Sequence, residues 1–360
     1  MKKQNLEEAL QRVTELFSES SNQKIYAKMQ VISPTLREYA LNHPEGATLY
    51  PDLGEREEFW RRLTAESNEI LDDSIPSAYM SEFDEGLYGG LLGAEVRYLD
   101  NPEWGWVSSM CVPFVQKLEE LADINFDKNC PLAQQYLQQL KYFVEASKGD
   151  YGISHFILID GLNALLELRG ATNMYYDCMD APELVEQFFA LTRELNYWVQ
   201  DNFFEIVGLY RGGTCSNLCQ WIPGKIVSES LDPFHMASVK FFEQWGRKQI
   251  EEIFAHYDGG SIHIHTGNGL HLVKPAATLK GLKMIAFIDE NFNELKAYHQ
   301  LQKIHQDRGN VPIFITIPYE EFVKMLTEKV LVGKAMYAVT NVPTVEIANK
   351  LMEKVKAYSY

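Results

Sequence analysis

Apolar and polar positions change rhythm once along the chain. Up to about residue 70 they recur at helical spacing, with Leu6, Leu10, Val13, Leu16 and Phe17 on one face. A second such pattern covers residues 25–41 and stops at Asn42-His43-Pro44-Glu45-Gly46, a run of turn formers. Residues 55–71 read as a charged helix with Phe59, Trp60, Leu63 and Ile70 on one side. The spacing predicts an N-terminal helical extension over residues 1–73.

From residue 74 onward, short apolar and β-branched runs alternate with helical stretches. Strands are predicted at 75–83, 95–99, 153–159, 206–210, 225–228, 261–265, 284–288, 313–317 and 335–339. Helices are predicted at 111–121, 131–148, 162–169, 182–203, 234–256, 295–308, 318–326 and 345–358, with Asp180 as an N-cap before the fourth. That alternation predicts an α/β fold, a (β/α)8 TIM barrel over residues 74–360 behind the helical extension. A doubly wound open sheet is the competing topology. No G-x-G-x-x-G or G-K-[ST] accompanies the glycines, so a dinucleotide or P-loop fold has little support.

A barrel of this kind places its chemistry where strands end. One strand end stands out, residues 259–269, Gly-Gly-Ser-Ile-His-Ile-His-Thr-Gly-Asn-Gly. Side chains alternate along a strand, so His263 and His265 project to one side and Ile262 and Ile264 to the other. Two adjacent imidazoles suit a metal, a proton-transfer pair or an anion grip, and also suit two hydrogen-bonded core histidines. Glu82 and Asp84 end another predicted strand, beside Glu85, as candidate acids, bases or ligands. Their structural alternative is a solvated turn. Glu229 ends a third, as catalytic residue or metal ligand. Asp232 before Pro233 suits a helix N-cap, and His235 lies one turn on, facing a pocket or packed away. Asp160, Asn163, Cys215, Asn217 and Asp289 follow other strands.

Tyr88, Trp104, Trp106 and Trp221 are candidate aromatic walls for a substrate, with core packing as the alternative for each. Arg97, Arg169 and Arg211 are candidate carboxylate grips or surface-pair partners. No Ser–His–Asp elbow and no H-E-x-x-H occurs.

Composition narrows the classes. The chain has 360 residues, 46% of them hydrophobic, enough for a large core. A net charge of −17 argues against nucleic-acid binding. No apolar run is long enough to cross a membrane, and the polar start is no export signal, so a cytoplasmic protein is expected. Five scattered cysteines predict free thiols, and Cys215 and Cys219 alone are too weak a pair for a zinc site.

With these residues in view, the chain resembles the uroporphyrinogen decarboxylase superfamily, which includes zinc-dependent corrinoid and coenzyme M methyltransferases. The likeness spans residues 74–360. It rests on Gly170 followed by Asp180-Ala181-Pro182-Glu183-Leu184-Val185, and on Ser230-Leu231-Asp232-Pro233 leading to Trp245-Gly246. It rests also on His263-Ile264-His265-Thr266-Gly267-Asn268, and on Asn341-Val342-Pro343-Thr344-Val345-Glu346-Ile347-Ala348-Asn349 near the end. The resemblance implies a barrel with a small-molecule site in its mouth. In the methyltransferases a His-x-Cys-Gly-Asn stretch and a later Cys bind zinc. Here His263 matches the His, His265 takes the Cys position and Thr266 is inserted. No Cys follows Cys219, and Ala338 stands where the late one would fall. The resemblance therefore implies an imidazole–carboxylate site for zinc or another divalent metal, from His263, His265 and Glu229 or Glu82.

The activity so implied is metal-assisted methyl transfer between a small methylated compound and a corrinoid-carrying partner protein. Glu82, Asp84, Glu229 and His235 would be its catalytic groups. Tyr88, Trp221, Asn268 and Arg97 would contact substrate, Asn268 by orienting it. A homodimer is compatible with this reading. The alternative is decarboxylation of a carboxylated ring substrate without metal, although the arginine-rich N-terminal motif of true porphyrinogen decarboxylases is missing. A third reading is a non-catalytic corrinoid or tetrapyrrole binder, whose mouth would lack converged acid and histidine groups.

Overall fold

The computed structural model describes residues 2–102, 105–155, 157–289 and 295–360. In chain order its strands are β1 (Ile25–Val31), β2 (Gly46–Thr48), β3 (Ser77–Tyr79), β4 (Val96–Asn101) and β5 (Trp106–Cys111). Next come β6 (Gly152–His155), β7 (Ile157–Leu158), β8 (Gly213–Ser216), β9 (Gln220–Pro223) and β10 (Val227–Ser230). The last four are β11 (Gly260–His265), β12 (Leu282–Ile288), β13 (Ile313–Pro318) and β14 (Ala335–Val342).

Seven of them form one parallel sheet, in the order β1-β14-β13-β12-β11-β10-β7. From β10 to β14 each strand lies beside the next in sequence, and helices make the crossovers that parallel neighbours require. The fold is thus mixed α/β around a parallel sheet. Two smaller sheets accompany it, the antiparallel β2-β4-β5 and the set β3-β6-β8-β9.

The two faces of the main sheet differ. Ile262, Ile264, Ile285, Phe287, Ile313, Ile315 and Ile317 are buried in one large cluster with the helices. On the opposite face Tyr26, Met284, Ala286 and Met336, near the strand starts, pack with the helix Leu6–Leu16 and the β8–β9 hairpin. Apolar side chains therefore fill the end where the strands begin, and polar ones remain for the other end. Gly259 and Gly260 allow β11 to start where it does. A Cβ on Gly260 would lie 1.9 Å from the Phe254 ring, and Gly259 sits at φ +127° against the Gly281 carbonyl.

Three expectations are corrected. Residues 25–31, predicted helical, form β1, which pairs along β14. A run buried on both faces carries no periodicity that separates helix from strand. The main sheet thus draws an edge strand from the segment expected to be a separate helical extension. That edge is covered by carboxylates: Asp73 accepts the Ala27 N–H at 2.9 Å and Asp72 the Met29 N–H at 2.6 Å. Residues 111–121, also predicted helical, contain the end of β5 and the start of a short 3-10 turn, Leu118–Asp123. Residues 206–210, predicted as a strand, begin with the last turn of the helix Pro182–Val207.

Candidate functional site

β11 and the segment after β10 build the site. Ser230 lies directly across from His263, and Ser228 from Ser261, so these four share a face of the sheet. Two residues past Ser230 the chain turns into the helical turn Asp232–His235, opened by Pro233. Residues three apart in a helical turn face the same way, which sets Asp232 and His235 together over the end of β11.

Three imidazoles meet one carboxylate oxygen there. Asp232 Oδ1 lies 3.0 Å from His263 Nε2, 3.3 Å from His265 Nε2 and 3.5 Å from His235 Nδ1. His235 Nε2 accepts the backbone N–H of His265 at 3.4 Å, which fixes its ring. Gly269 makes this packing possible, because a Cβ there would lie 2.6 Å from the His235 ring. Thr266 anchors the turn after β11 by donating to Asp289 at 2.6 Å. His263 and His235 are buried, but the Asp232 side chain is 39% exposed, so the cluster opens to solvent at its centre.

The electrostatics follow from this placement. Burial opposes charge on Asp232, but His263 and His265 outweigh it and hold the carboxyl well below its usual range. Burial drives His235 down to about 3, against the pull of Asp232, so it stays neutral at neutral pH. Three further carboxyls stand near. Asp84 is raised to about 6, chiefly by burial, with Glu167 pushing further and the Tyr79 hydroxyl and His263 opposing. Glu85 is pushed well above its usual value by burial and by Asp84, Glu167 and Asp232. Glu167 is raised by burial and accepts from the Cys111 thiol at 3.4 Å. Among the described residues no lysine or arginine is a leading influence on Asp84, Glu85 or Glu167.

The predicted site residues divide accordingly. His263, His265 and His235 converge, and Asp84 lies close enough to feel the charge of His263. Glu229 does not join them. It lies across from Ile262 and Leu158, on the helix-facing side of the sheet, where Asn163 donates to it at 3.3 Å. Alternation along β10 sends it away from the histidines, and Asp232, expected first as an N-cap, takes the place expected for it. Glu82 is fully buried and held by Arg56 Nε at 2.5 Å and Gln139 at 3.0 Å. Tyr88 is buried and accepts from Gln200 at 3.1 Å. Trp221 belongs to the apolar cluster at the strand starts and donates to the Tyr210 carbonyl at 2.8 Å. Arg97 is exposed on the antiparallel sheet and pairs with Glu95. Asn268 is exposed in the turn after β11, its amide against Met236 Sδ at 3.4 Å. Trp106 packs edge-on against Tyr79 at 5.3 Å, and Trp104 lies outside the described residues.

Reading the sequence missed Asp232 as a hub and Glu167 and Cys111 as neighbours. The Asp-Pro-Phe-His spacing was the available signal, since it puts an acid and an imidazole on one helical face.

The five cysteines are free, and Cys215 and Cys219 lie buried at the other end of the strands. No helix of the described residues is long and apolar enough to cross a membrane.

No family model matches the chain, and no curated protein matches it. A solved methyltransferase from Methanosarcina mazei is similar, with a TM-score of 0.62 over 98% of each chain at 11% sequence identity. At that identity the likeness shows the fold alone, the same α/β architecture running from one end of the chain to the other.

Proposed function

We propose that the protein is an enzyme that moves a methyl group between a small methylated compound and a corrinoid protein, assisted by a divalent metal, preferentially zinc. One observation carries the reading: three imidazoles converge on a single ionised carboxylate at a solvent-open strand end. The order of the strands suits successive staves of one (β/α)8 barrel, whose mouth this end would be. The fold shared with a methyltransferase supports the reaction class.

The donor set fits a metal. Zinc accepts imidazole nitrogen and carboxylate oxygen, and ligand atoms of Asp232, His235 and His265 lie within 4.8 Å of one another. His235 is held neutral and Asp232 ionised, as ligation requires, and to ligate through Nδ1 the His235 ring would move its proton to Nε2 and give up the His265 N–H. Among the described residues His263 Nδ1 is buried without a hydrogen-bond partner, so its ring has a nitrogen to spare. Asp232, His235 and His265 would hold the ion, with His263 beside them. Bound there, a divalent metal supplies Lewis-acid polarisation of the heteroatom that carries the methyl group.

The chain's own groups supply the rest. When the carbon–heteroatom bond breaks, its electron pair stays on the heteroatom, which then needs a proton. Asp84, with its carboxyl raised to about 6, is placed to keep that proton available near neutral pH. Asp84, Glu85 and Glu167 make an acidic wall that favours a neutral or cationic methyl compound. The polycarboxylate ring that a porphyrinogen-type decarboxylation requires would find no counter-charge in that wall, so methyl transfer is the better reading. Convergence of acid and histidine groups likewise counts against a purely binding protein.

The test is metal analysis of the purified protein and of Asp232→Ala and His265→Ala, with methyl transfer from methylated amines, ethers and thiols to a corrinoid measured on each. The wild type is expected to carry about one ion per chain and both variants to lose metal and activity together. A metal-free wild type whose variants remain fully active would overturn the reading.

A further inference from the structure

We infer that Glu229 and Asp160, a carboxyl pair on the helix side of the sheet, are positioning residues that fix the end of β10 and so aim Asp232 at the three imidazoles. The inference rests on the metal-site reading above, because Asp232 is the group being aimed.

Both side chains are buried, Glu229 to 99% and Asp160 to 94%, by their exposures of 1% and 6%. Glu229 Oε1 accepts from Asn163 Nδ2 at 3.3 Å and from the Ser230 N–H at 3.2 Å. Glu229 Oε2 is buried with no N–H or O–H partner among the described residues. Asp160 meets the Glu229 carboxyl, and each acts on the other as a hydrogen-bond partner. Two carboxyls can make that bond only if one carries a proton. Burial raises both carboxyls; Asp160 pushes Glu229 further, to well above its usual range, while Glu229 and Arg193 pull Asp160 back, so Glu229 is the donor.

The surroundings rule out a ligand site here. Asp160, Asn163, Glu229, Phe234 and Trp245 line a cavity of about 10 Å³, room for one water at most. The pair's role is therefore mechanical. Asp160 and Asn163 flank the start of the helix Gly161–Arg169. Asn163 also donates to the Ser230 carbonyl at 3.0 Å, and Ser230 Oγ accepts the Asp232 N–H at 3.2 Å. A continuous set of hydrogen bonds thus runs from Asp160 through Glu229, Asn163 and Ser230 to Asp232. Phe234, two residues past Asp232, lines the same cavity. Removing the pair frees the strand end to shift, and the carboxylate at the hub with it.

Cobalt(II) provides the probe, because its visible spectrum reports ligand geometry without turnover. Glu229→Ala is expected to weaken cobalt binding about 10- to 100-fold, as loss of a supporting partner does at metal sites, and to change the band pattern. Glu229→Gln keeps a donor for Asp160 and an acceptor for Asn163, so it should restore both the spectrum and the affinity to within about threefold. Asn163→Ala, a milder cut in the same set, should shift the spectrum in the same direction, and it carries the test if Glu229→Ala does not fold. Unfolding midpoints measured alongside separate a loosened fold from a displaced ligand. A wild type that binds no cobalt would overturn the metal reading and this inference together. A wild type that binds it, with Glu229→Ala or Asn163→Ala folded and spectrally unchanged, would overturn this inference alone.

Discussion

Two groups of carboxylates in this protein are treated in opposite ways. In the first, where side chains of residues 1–73 reach the segment 72–82, each has a cation. Asp72 pairs with Lys3 at 2.5 Å, Asp73 with Arg12 at 2.6 Å and Glu82 with Arg56 at 2.5 Å. Burial still raises Asp73, but Arg12 and the Ala27 N–H pull it back. At the strand ends around β11, among the described residues, Asp84, Glu85 and Glu167 pair with no such cation, and Asp232 pairs with histidines. Glu82 and Asp84 are two residues apart and fall on opposite sides of this divide. Cations stand where a carboxylate ties chain segments together. Where they are withheld, carboxyls rise toward neutrality or share imidazoles, and so keep capacity for a metal or an incoming group.

The largest effect that could break this comparison comes from the first region. Arg56→Ala would leave Glu82 charged, buried and bound only to Gln139, and would remove the guanidinium that packs 4.9 Å from the Phe59 ring. Breaking such a pair costs about 3–5 kcal/mol. Urea unfolding should show that loss while metal content stays at the wild-type level. If instead the fold holds and methyl transfer collapses, Glu82 belongs to the catalytic groups and the divide is misplaced. Asp232→Ala should do the reverse. It should abolish metal binding and cut methyl transfer by more than about 100-fold, beyond the usual effect of a supporting partner, with a small change in unfolding midpoint. A large stability loss with metal retained would make Asp232 structural.

Much of this arrangement was legible beforehand, and the gaps have physical causes. The strands from β10 to β14 and the shared face of His263 and His265 follow from alternation, which is local. β1 was not legible, because a strand buried on both faces shows no alternation. Glu229 was misplaced because a residue at a strand end has only two possible faces, and the choice depends on register with β11, 33 residues away. Asp232 was hidden by a sufficient local explanation, since Asp before Pro at a helix start needs no distant partner. Its histidine partners at 263 and 265 become visible only when the strands are side by side. Trp221 was placed with the substrate because sequence order does not say that the β8–β9 hairpin folds back toward the strand starts.

A smaller effect sharpens the second region. Asp84 is raised from near 3.8 to about 6 in the folded protein. A group that binds its proton more tightly when folded adds stability that is complete below the unfolded value and is lost as pH climbs through the folded one. Unfolding midpoints of the wild type should therefore fall between about pH 4 and 6 relative to Asp84→Asn, which cannot titrate there. Parallel profiles for the two proteins would mean that Asp84 is not held in a cation-free pocket.

The smallest expected effect tests the divide from outside. Arg97 is the arginine that sequence reading put on the substrate, and its pair with Glu95 is 62% and 65% exposed at the two side chains. Water screens such a pair, so Arg97→Ala should change stability by less than about 0.5 kcal/mol. It should also leave KM for the methyl donor unchanged, because β4 lies in the antiparallel sheet and not among the strands that carry the histidines. A several-fold rise in KM would mean that a cation does reach the bound substrate. The acidic wall would then have a counter-charge, the preference for neutral or cationic donors would lose its basis, and an anionic substrate would again be open.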